Sequence, residues 1–187
     1  MRPPLPACRA RDDGAPKGFM APMSNAESLT IRPATRGDSP ALGRLGALLV
    51  KVHHEYDRDR FIAPGPQAER GYAGFLASQL GKEDAVILVA EQDGAVVGYA
   101  YAGLEGQDWM ALRGPAGVIY DLIVDPERRG QGVGGRLLDA ALEALSARGA
   151  PRTVLFTATR NEGAQRLFAR AGFRPTMIEM TREGTGR

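Results

Sequence analysis

The residues best placed to do chemistry form one run, Val124-Asp-Pro-Glu-Arg-Arg-Gly-Gln-Gly-Val-Gly-Gly135, with four glycines in its last six positions. It lies between an apolar stretch of strand character and an amphipathic stretch of helical character. Glycine lets a backbone approach a ligand closely and take angles that other residues avoid. The first turn of a helix leaves several N–H groups unpaired, and the helix dipole favours an anion there. A glycine turn running into a helix start is therefore a site for a pyrophosphate. Gly130, Gly132 and Gly135 also satisfy G-x-G-x-x-G, so a nicotinamide or other nucleotide has to be weighed. Two features argue against a dinucleotide: the spacer Asp125–Gly130 separates the turn from the strand, and the next strand runs into Thr157-Ala-Thr159 with no acid to bind a ribose. The chain has no Gly-Lys-Ser/Thr, which excludes a P-loop.

The elements that must position this loop follow from periodicity. A first strand is expected over Ser28–Pro33, then a helix N-capped by Asp38 or Ser39 with Pro40 in its first turn. That helix carries the stripe Leu42, Leu45, Leu49, Val52 and Tyr56 and ends at Asp57-Arg-Asp-Arg60, a solvated face. After the loop Ile62–Pro66 a second helix is expected from Gln67 to Leu80. Ala85–Glu91 and Val96–Leu104 read as strands joined by the hairpin turn Asp93-Gly94. Gly117–Val124, apolar on both faces, reads as a central buried strand. A helix over Gly132–Arg148 carries Leu138, Leu142 and Leu145 on one face, and a strand over Thr153–Ala158 follows. Asn161–Ala171 reads as a helix closed by Gly172, and residues 173–181 as a last strand. Hairpins mixed with strand–helix–strand crossovers predict an α+β fold: a mixed, mostly antiparallel central sheet flanked by helices.

Composition narrows the partners. A chain of 187 residues, 43% hydrophobic and 25% charged, suits one domain. The net charge of +2 is accounted for by residues 1–23, which hold Arg2, Arg9, Arg11 and Lys17 against Asp12 and Asp13. The remainder is neutral, so no nucleic-acid partner is expected. Cys8 is the single cysteine, no Cys/His spacing suggests a metal, and no apolar run is long enough for a membrane. No signal-peptide pattern is present, and a cytoplasmic location is expected. Residues 1–26, rich in proline, are expected to be a disordered extension, with Met20 and Met23 as candidates for the true start. The domain is expected over residues 27–182 and a flexible tail over 183–187.

The loop and a second motif together resemble the GCN5-related N-acetyltransferase (GNAT) family. That family's cofactor loop, Q/R-x-x-G-x-G/A, is here Arg129-Gly-Gln-Gly132-Val-Gly134. Its second signature is an Asn-x-x-Ala-x-x-Leu-Tyr run followed by Gly-Phe. It is here Asn161-Glu-Gly-Ala164-Gln-Arg-Leu167-Phe168, then Gly172-Phe173. The resemblance follows the element order over residues 28–181 and is specific over 117–173. It implies transfer of an acetyl group from acetyl-CoA directly to a primary amine of a small molecule or peptide. The neutral core favours a small molecule. The backbone of Leu122, Ile123 and Val124 would bind the pantetheine arm as an added strand. The amides of Gly130, Gln131, Gly132, Val133, Gly134 and Gly135 would hold the pyrophosphate, with Arg129 and Arg136 nearby. Asn161 would contact the arm, Phe168 would lie near the sulfur, and two core strands would splay apart beyond Val124. Homodimers are common on this fold, although no sequence feature specifies one.

Direct transfer needs a base for the ammonium, a polarised carbonyl and a proton for the leaving sulfur. By resemblance, the N–H of Val124 is the candidate for polarising the carbonyl. Many relatives carry Glu-Asp on this strand; here the pair is Tyr120-Asp121. Asp121 alternates with Ile119 and Ile123 on an apolar face, where burial would raise its pKa toward that of a useful base. A structural aspartate bonded to neighbouring backbone is the competing reading. The family's tyrosine donor is replaced by Phe168, whose ring donates nothing and whose stripe with Ala164, Leu167 and Ala171 is that of a core residue. The sulfur then leaves unassisted, or Tyr120, Tyr101 or water supplies the proton. Otherwise the chain is a catalytically weak acyl-CoA-binding or regulatory protein. In this family the first helices shape the acceptor pocket, which makes His53, Glu55, Tyr56, Tyr72 and Trp109 its candidate lining. A histidine at a stripe edge is also a common packing residue.

Overall fold

The computed structural model describes residues 29–184; the N-terminal extension through residue 28 and the last three residues lie outside them. Strand β2 (Ala85–Gln92) shows why the sheet is covered on both sides. Val86, Leu88 and Ala90 point into one apolar cluster and Ile87 and Val89 into another, as the two-residue strand period requires. Asp93 and Gly94 both take positive φ, 53° and 76°, which matches the twist of a two-residue hairpin leading into β3 (Ala95–Glu105).

Five strands run in the order β1-β2-β3-β4-β5, with β1 at Thr30–Pro33, β4 at Ala116–Val124 and β5 at Thr153–Leu155. All neighbours are antiparallel except β4 and β5, which are parallel. Parallel pairing requires a crossover, supplied by helix α3 (Val133–Ala147). Helix α3 buries Val133, Leu137, Leu138, Ala141 and Leu145 against one face of the sheet, where Phe168 of α4 (Glu162–Arg170) joins them. Helices α1 (Ser39–Tyr56) and α2 (Ala68–Gln79) cover the other face, burying Leu42, Leu45, Leu49 and Leu76. The expected α+β architecture is therefore present.

Four expectations change. Strand β4 is not the centre of the sheet, and only Ala116–Ile119 and Ile123 are buried along it. Strand β5 stops at Leu155, and the Phe156 side chain beyond it is exposed. Residues 173–181 form no strand. Met177, Ile178 and Met180 have the side chains of a strand, but pairing needs an edge, and three residues of β5 beside a segment opened by Pro175 provide too little of one. Asp38 occupies the N-cap position of α1 without capping it. Its carboxylate instead accepts a bidentate pair from Arg32 at 2.9 Å and a further bond from the Thr35 N–H at 2.7 Å. This holds the Asp38 pKa far below the usual carboxylate range.

Helices α1 and α2 meet through small residues. A Cβ on Gly43 would lie 2.8 Å from the Cβ of Ala73, and one on Gly46 would overlap the Tyr72 ring. Gly46→Ala is therefore expected to lower unfolding free energy by about 1–3 kcal/mol, despite alanine's better helix propensity. Denaturant titration should record a lower midpoint with an unchanged slope.

Candidate functional site

The site begins where β4 loses a neighbour. Strand β5 pairs only with Gly117, Val118 and Ile119, whereas β3 accompanies β4 to Val124. The two strands thus part after Ile119, five residues earlier than expected. The Asp125 N–H donates to the Val97 carbonyl at 2.8 Å. In an antiparallel ladder the bonding direction alternates, so the peptide groups of Ile123 face β3 while those of Leu122 and Val124 face the gap. This removes Ile123 from the expected edge; its side chain instead fills the core beneath α1. The Val124 carbonyl accepts from Arg129 Nε at 3.1 Å, leaving the Leu122 groups and the Val124 N–H on the open side.

The glycine loop is anchored to this same end. Asp125 takes an ion pair from Arg44 of α1 at 2.9 Å, and its other oxygen accepts from the Glu127 N–H. Pro126–Arg128 form a 3-10 turn, and Gln131 Nε2 donates back to the Glu127 carbonyl. Gly130 and Gly132 then take φ of 78° and 82°, where a Cβ is strained. Gly132 is the N-cap of α3. No side chain caps this helix and no acid sits in its first turn, so the N–H groups of Val133, Gly134 and Gly135 are left for a ligand. Gly134 lies where Val124 and Leu167 converge, tying the helix start to the strand end and to α4. A donor-lined turn beside an unpaired strand edge fits the pyrophosphate and amide-bearing arm of acetyl-CoA.

Asn161 N-caps α4, accepting from the Ala164 N–H at 3.2 Å, so its side-chain NH2 remains for a ligand. Phe168 has a clear structural role. Gly172 (φ 88°) ends α4, with Gly172 N–H bonded to the Ala169 carbonyl and Phe173 N–H to the Phe168 carbonyl. That pairing carries a hydrophobic contact, here between the Phe168 and Phe173 rings with centroids 6.0 Å apart. Phe168 is only 8% exposed.

On the opposite face of the sheet, a register shift places Tyr101 opposite Asp121 and Ala102 opposite Ile119, with Tyr120 as the extra residue. This bulge reverses the phase of the strand. Ile119 therefore points toward α3 while Ile123 points toward α1. The expected alternation of Asp121 holds with Ile123 and fails with Ile119. Tyr120 and Asp121 instead line one cavity of about 210 Å3. Its other walls are Leu49, Val50 and His53 of α1, Tyr72 of α2, and Phe61 and Ile62 of the intervening loop.

Burial pushes the Asp121 carboxyl up to about 6, offset by a hydrogen bond from Tyr99 Oη at 2.9 Å and by His53. The Tyr99 phenol, also buried, is raised far out of its usual range, so it donates rather than ionises. Burial raises Tyr72 to about 12. Tyr120 is raised by burial and by its bond to Glu105, to whose carboxylate its hydroxyl donates at 2.7 Å. Its ring stacks on Tyr101 at 4.8 Å and is 42% exposed. His53 Nδ1 lies 2.9 Å from the Leu49 carbonyl, which can only accept, so Nδ1 carries the proton.

Of the expected acceptor residues, the cavity brings in His53 and Tyr72. Tyr56 touches the His53 ring edge-on instead. Trp109 sits on the Asp108–Arg113 loop, 75% exposed and away from the cavity. Leu49, Val50, Phe61 and Ile62 were not marked by sequence. Leu49 belonged to a core stripe, and the loop residues carry no periodicity.

The family model described as "Acetyltransferase (GNAT) family" matches residues 49–173. A mycothiol acetyltransferase of Clavibacter michiganensis subsp. michiganensis is 30% identical over 125 residues, 65% of this chain and 38% of that protein. An uncharacterized N-acetyltransferase of Bacillus subtilis (strain 168), YhfO, is 29% identical over 147 residues, 78% of this chain and 89% of that one. The chain thus spans little more than a third of the mycothiol enzyme and most of YhfO. The aminoglycoside N-acetyltransferase AAC(6')-Iy, solved in complex with CoA, superimposes with a TM-score of 0.65 at 16% identity, over 92% of this chain and 99% of that one. With its matched segment enclosing both the acid-bearing bulge and the glycine loop, this chain belongs to the GNAT acetyltransferase family.

Proposed function

We propose that this protein transfers an acetyl group from acetyl-CoA directly to a primary amine, with Asp121 as the base. The observation that carries this reading is the position of Asp121: a part-buried carboxylate lining a cavity at the bulge, two residues past the point where β4 parts from β5. Acetyl-CoA, when bound, supplies the activated acyl group. The amides from Gly130 to Gly135 would hold its pyrophosphate, and the Leu122 peptide groups and the Val124 N–H would hold its arm. Asn161 would use its free NH2.

The acceptor cavity lies on the α1–α2 face of β4, and the groove would run along the edge of β4 that β5 leaves unpaired beyond Ile119. An amine entering past Phe61 and Ile62 would reach Asp121 first. Above pH about 6 Asp121 is ionised, attracts the ammonium and takes its proton. The Val124 N–H, unpaired on the open side, is the donor available to polarise the acyl carbonyl. Tyr120 keeps its proton at neutral pH and is the hydroxyl that can protonate the leaving sulfur, with Glu105 holding its orientation. The balance is simple: an N–C bond forms, a C–S bond breaks, one ammonium proton ends on sulfur and one passes to solvent.

The test is thiol release from acetyl-CoA with an amine panel. Asp121→Asn is expected to lower kcat/KM by about 10²–10⁴-fold and to abolish the loss of activity below pH about 6 that the wild type should show. Equal turnover across the pH range would remove Asp121 from the mechanism. The same shift makes a stability prediction. A carboxyl with a folded pKa of about 6 against an ordinary 3.8 keeps its proton longer in the folded chain. Stability should therefore fall as pH rises from about 4 to about 6 and level off above. The Asp121 contribution is on the order of 2–3 kcal/mol, and Asp121→Asn should flatten that slope in urea titrations. Tyr120→Phe is expected to reduce kcat roughly 10–100-fold with KM for acetyl-CoA little changed, the signature of a proton donor.

A further inference from the structure

The acceptor cavity contains one anion and no fixed cation. Among its lining residues Asp121 is the only acid, and neither lysine nor arginine is present. The single basic group, His53, is half-buried and packed edge-on between the rings of Tyr56 and Phe61. The guanidinium of Arg60 stacks 5.0 Å over the outer neighbour Phe61, but is engaged by Glu179. The rest of the wall is Leu49, Val50, Ile62 and the side chains of Tyr72 and Tyr120. Ile62 is 77% exposed at the mouth, an apolar side chain facing whatever enters.

Resting on the acetyl-transfer reading, we infer that the acceptor is a hydrophobic monoamine, an aryl- or branched-alkyl-amine with no second charge. An ammonium entering this cavity finds its counter-charge at Asp121. The attached carbon body replaces water against Leu49, Val50 and Tyr72, which is favourable in proportion to the apolar area covered. A carboxylate or phosphate on the same body would be desolvated with no cation to receive it, which costs far more than the apolar contact returns. A polyamine would bury a second ammonium with no second acid. An aminoglycoside would bring hydroxyls to a wall whose polar atoms are already few and partly committed, as the His53 Nδ1 bond to Leu49 shows. The bulge sets this specificity as well as the chemistry, because it places Tyr120 and Asp121 together in the wall of one cavity.

The experiment compares 2-phenylethylamine, phenylalanine, spermidine and kanamycin as acceptors with the full chain and acetyl-CoA, reading free thiol. Phenylethylamine and phenylalanine share a body and differ by one carboxylate. The expected result is a kcat/KM for phenylethylamine at least about 100-fold above that for phenylalanine, and above those for spermidine and kanamycin, for the unpaired-charge reason. A preference for phenylalanine, spermidine or kanamycin would overturn the inference and leave acetyl transfer standing. Ile62→Arg places a cation at the exposed mouth with little risk to folding. It should narrow the phenylethylamine-to-phenylalanine ratio at least about tenfold, and an unchanged ratio would count against the cavity as the acceptor site. If no amine is turned over, acetyl transfer fails, and calorimetry of phenylethylamine and phenylalanine with the CoA-bound protein decides the ligand class alone. Binding of phenylethylamine only would support it; binding of neither, or of phenylalanine equally, would overturn it.

Discussion

Strand β4 has a neighbour on one side along its whole length and on the other only as far as Ile119. The rest of the site depends on that lost pairing. A strand interior to a sheet normally spends its peptide groups on both sides. Here Leu122 and Val124 turn theirs toward a gap that β5 ends too early to fill. The crossover that makes β5 parallel also brings the start of α3 to the same strand end, so an unpaired edge and an unpaired helix N-terminus arise together. Arg44, Asp125 and Arg129 fix that junction: one links α1 to the loop, one caps the 3-10 turn, and one holds the last strand carbonyl.

The bulge at Tyr120 is the second consequence. With no partner on the β5 side beyond Ile119, β4 can absorb an extra residue against β3 without breaking a second ladder. The phase reversal moves Tyr120 and Asp121 to the α1–α2 face, beside Tyr99 and Tyr101. Burial then raises the carboxyl, and the Tyr99 hydroxyl keeps it from rising further. The tyrosines around it, all with raised pKa values, keep their protons, and Tyr99 and Tyr120 donate them in hydrogen bonds to Asp121 and Glu105. A carboxylate is thus the only anion among the residues lining a mainly apolar cavity.

Helices α1 and α2 complete the enclosure because they can approach each other closely. Gly43 and Gly46 present bare backbone to α2, and the Tyr72 ring settles over Gly46 and into the cavity wall. A bulkier α1 would hold Tyr72 away and open the site to water. Phe168 serves the other face: as the packing partner of Phe173 at the end of α4, it stabilises the turn that closes the helix.

Local patterns were enough to determine much of this protein. The two-residue period of β2 and β3, their Asp93-Gly94 turn, the stripes of α1 and α3, the glycine loop and the Gly172 cap are each written in a few adjacent residues, and each formed where expected. Asp121 was legible as an acid in apolar surroundings. What depends on partners was not legible. The failure of residues 173–181 to form a strand is decided by how little edge β5 offers. The exposure of Trp109 and the use of Asp38 as a partner for Arg32 are decided by distant neighbours. The bulge is the sharpest case. Strict alternation placed Ile119, Asp121 and Ile123 on one face, and only the register against β3 inserts the extra residue that separates them. Sequence therefore supplied the acid and the glycine turn, while tertiary pairing decided which face of the sheet the acid serves and where the strand opens beside it.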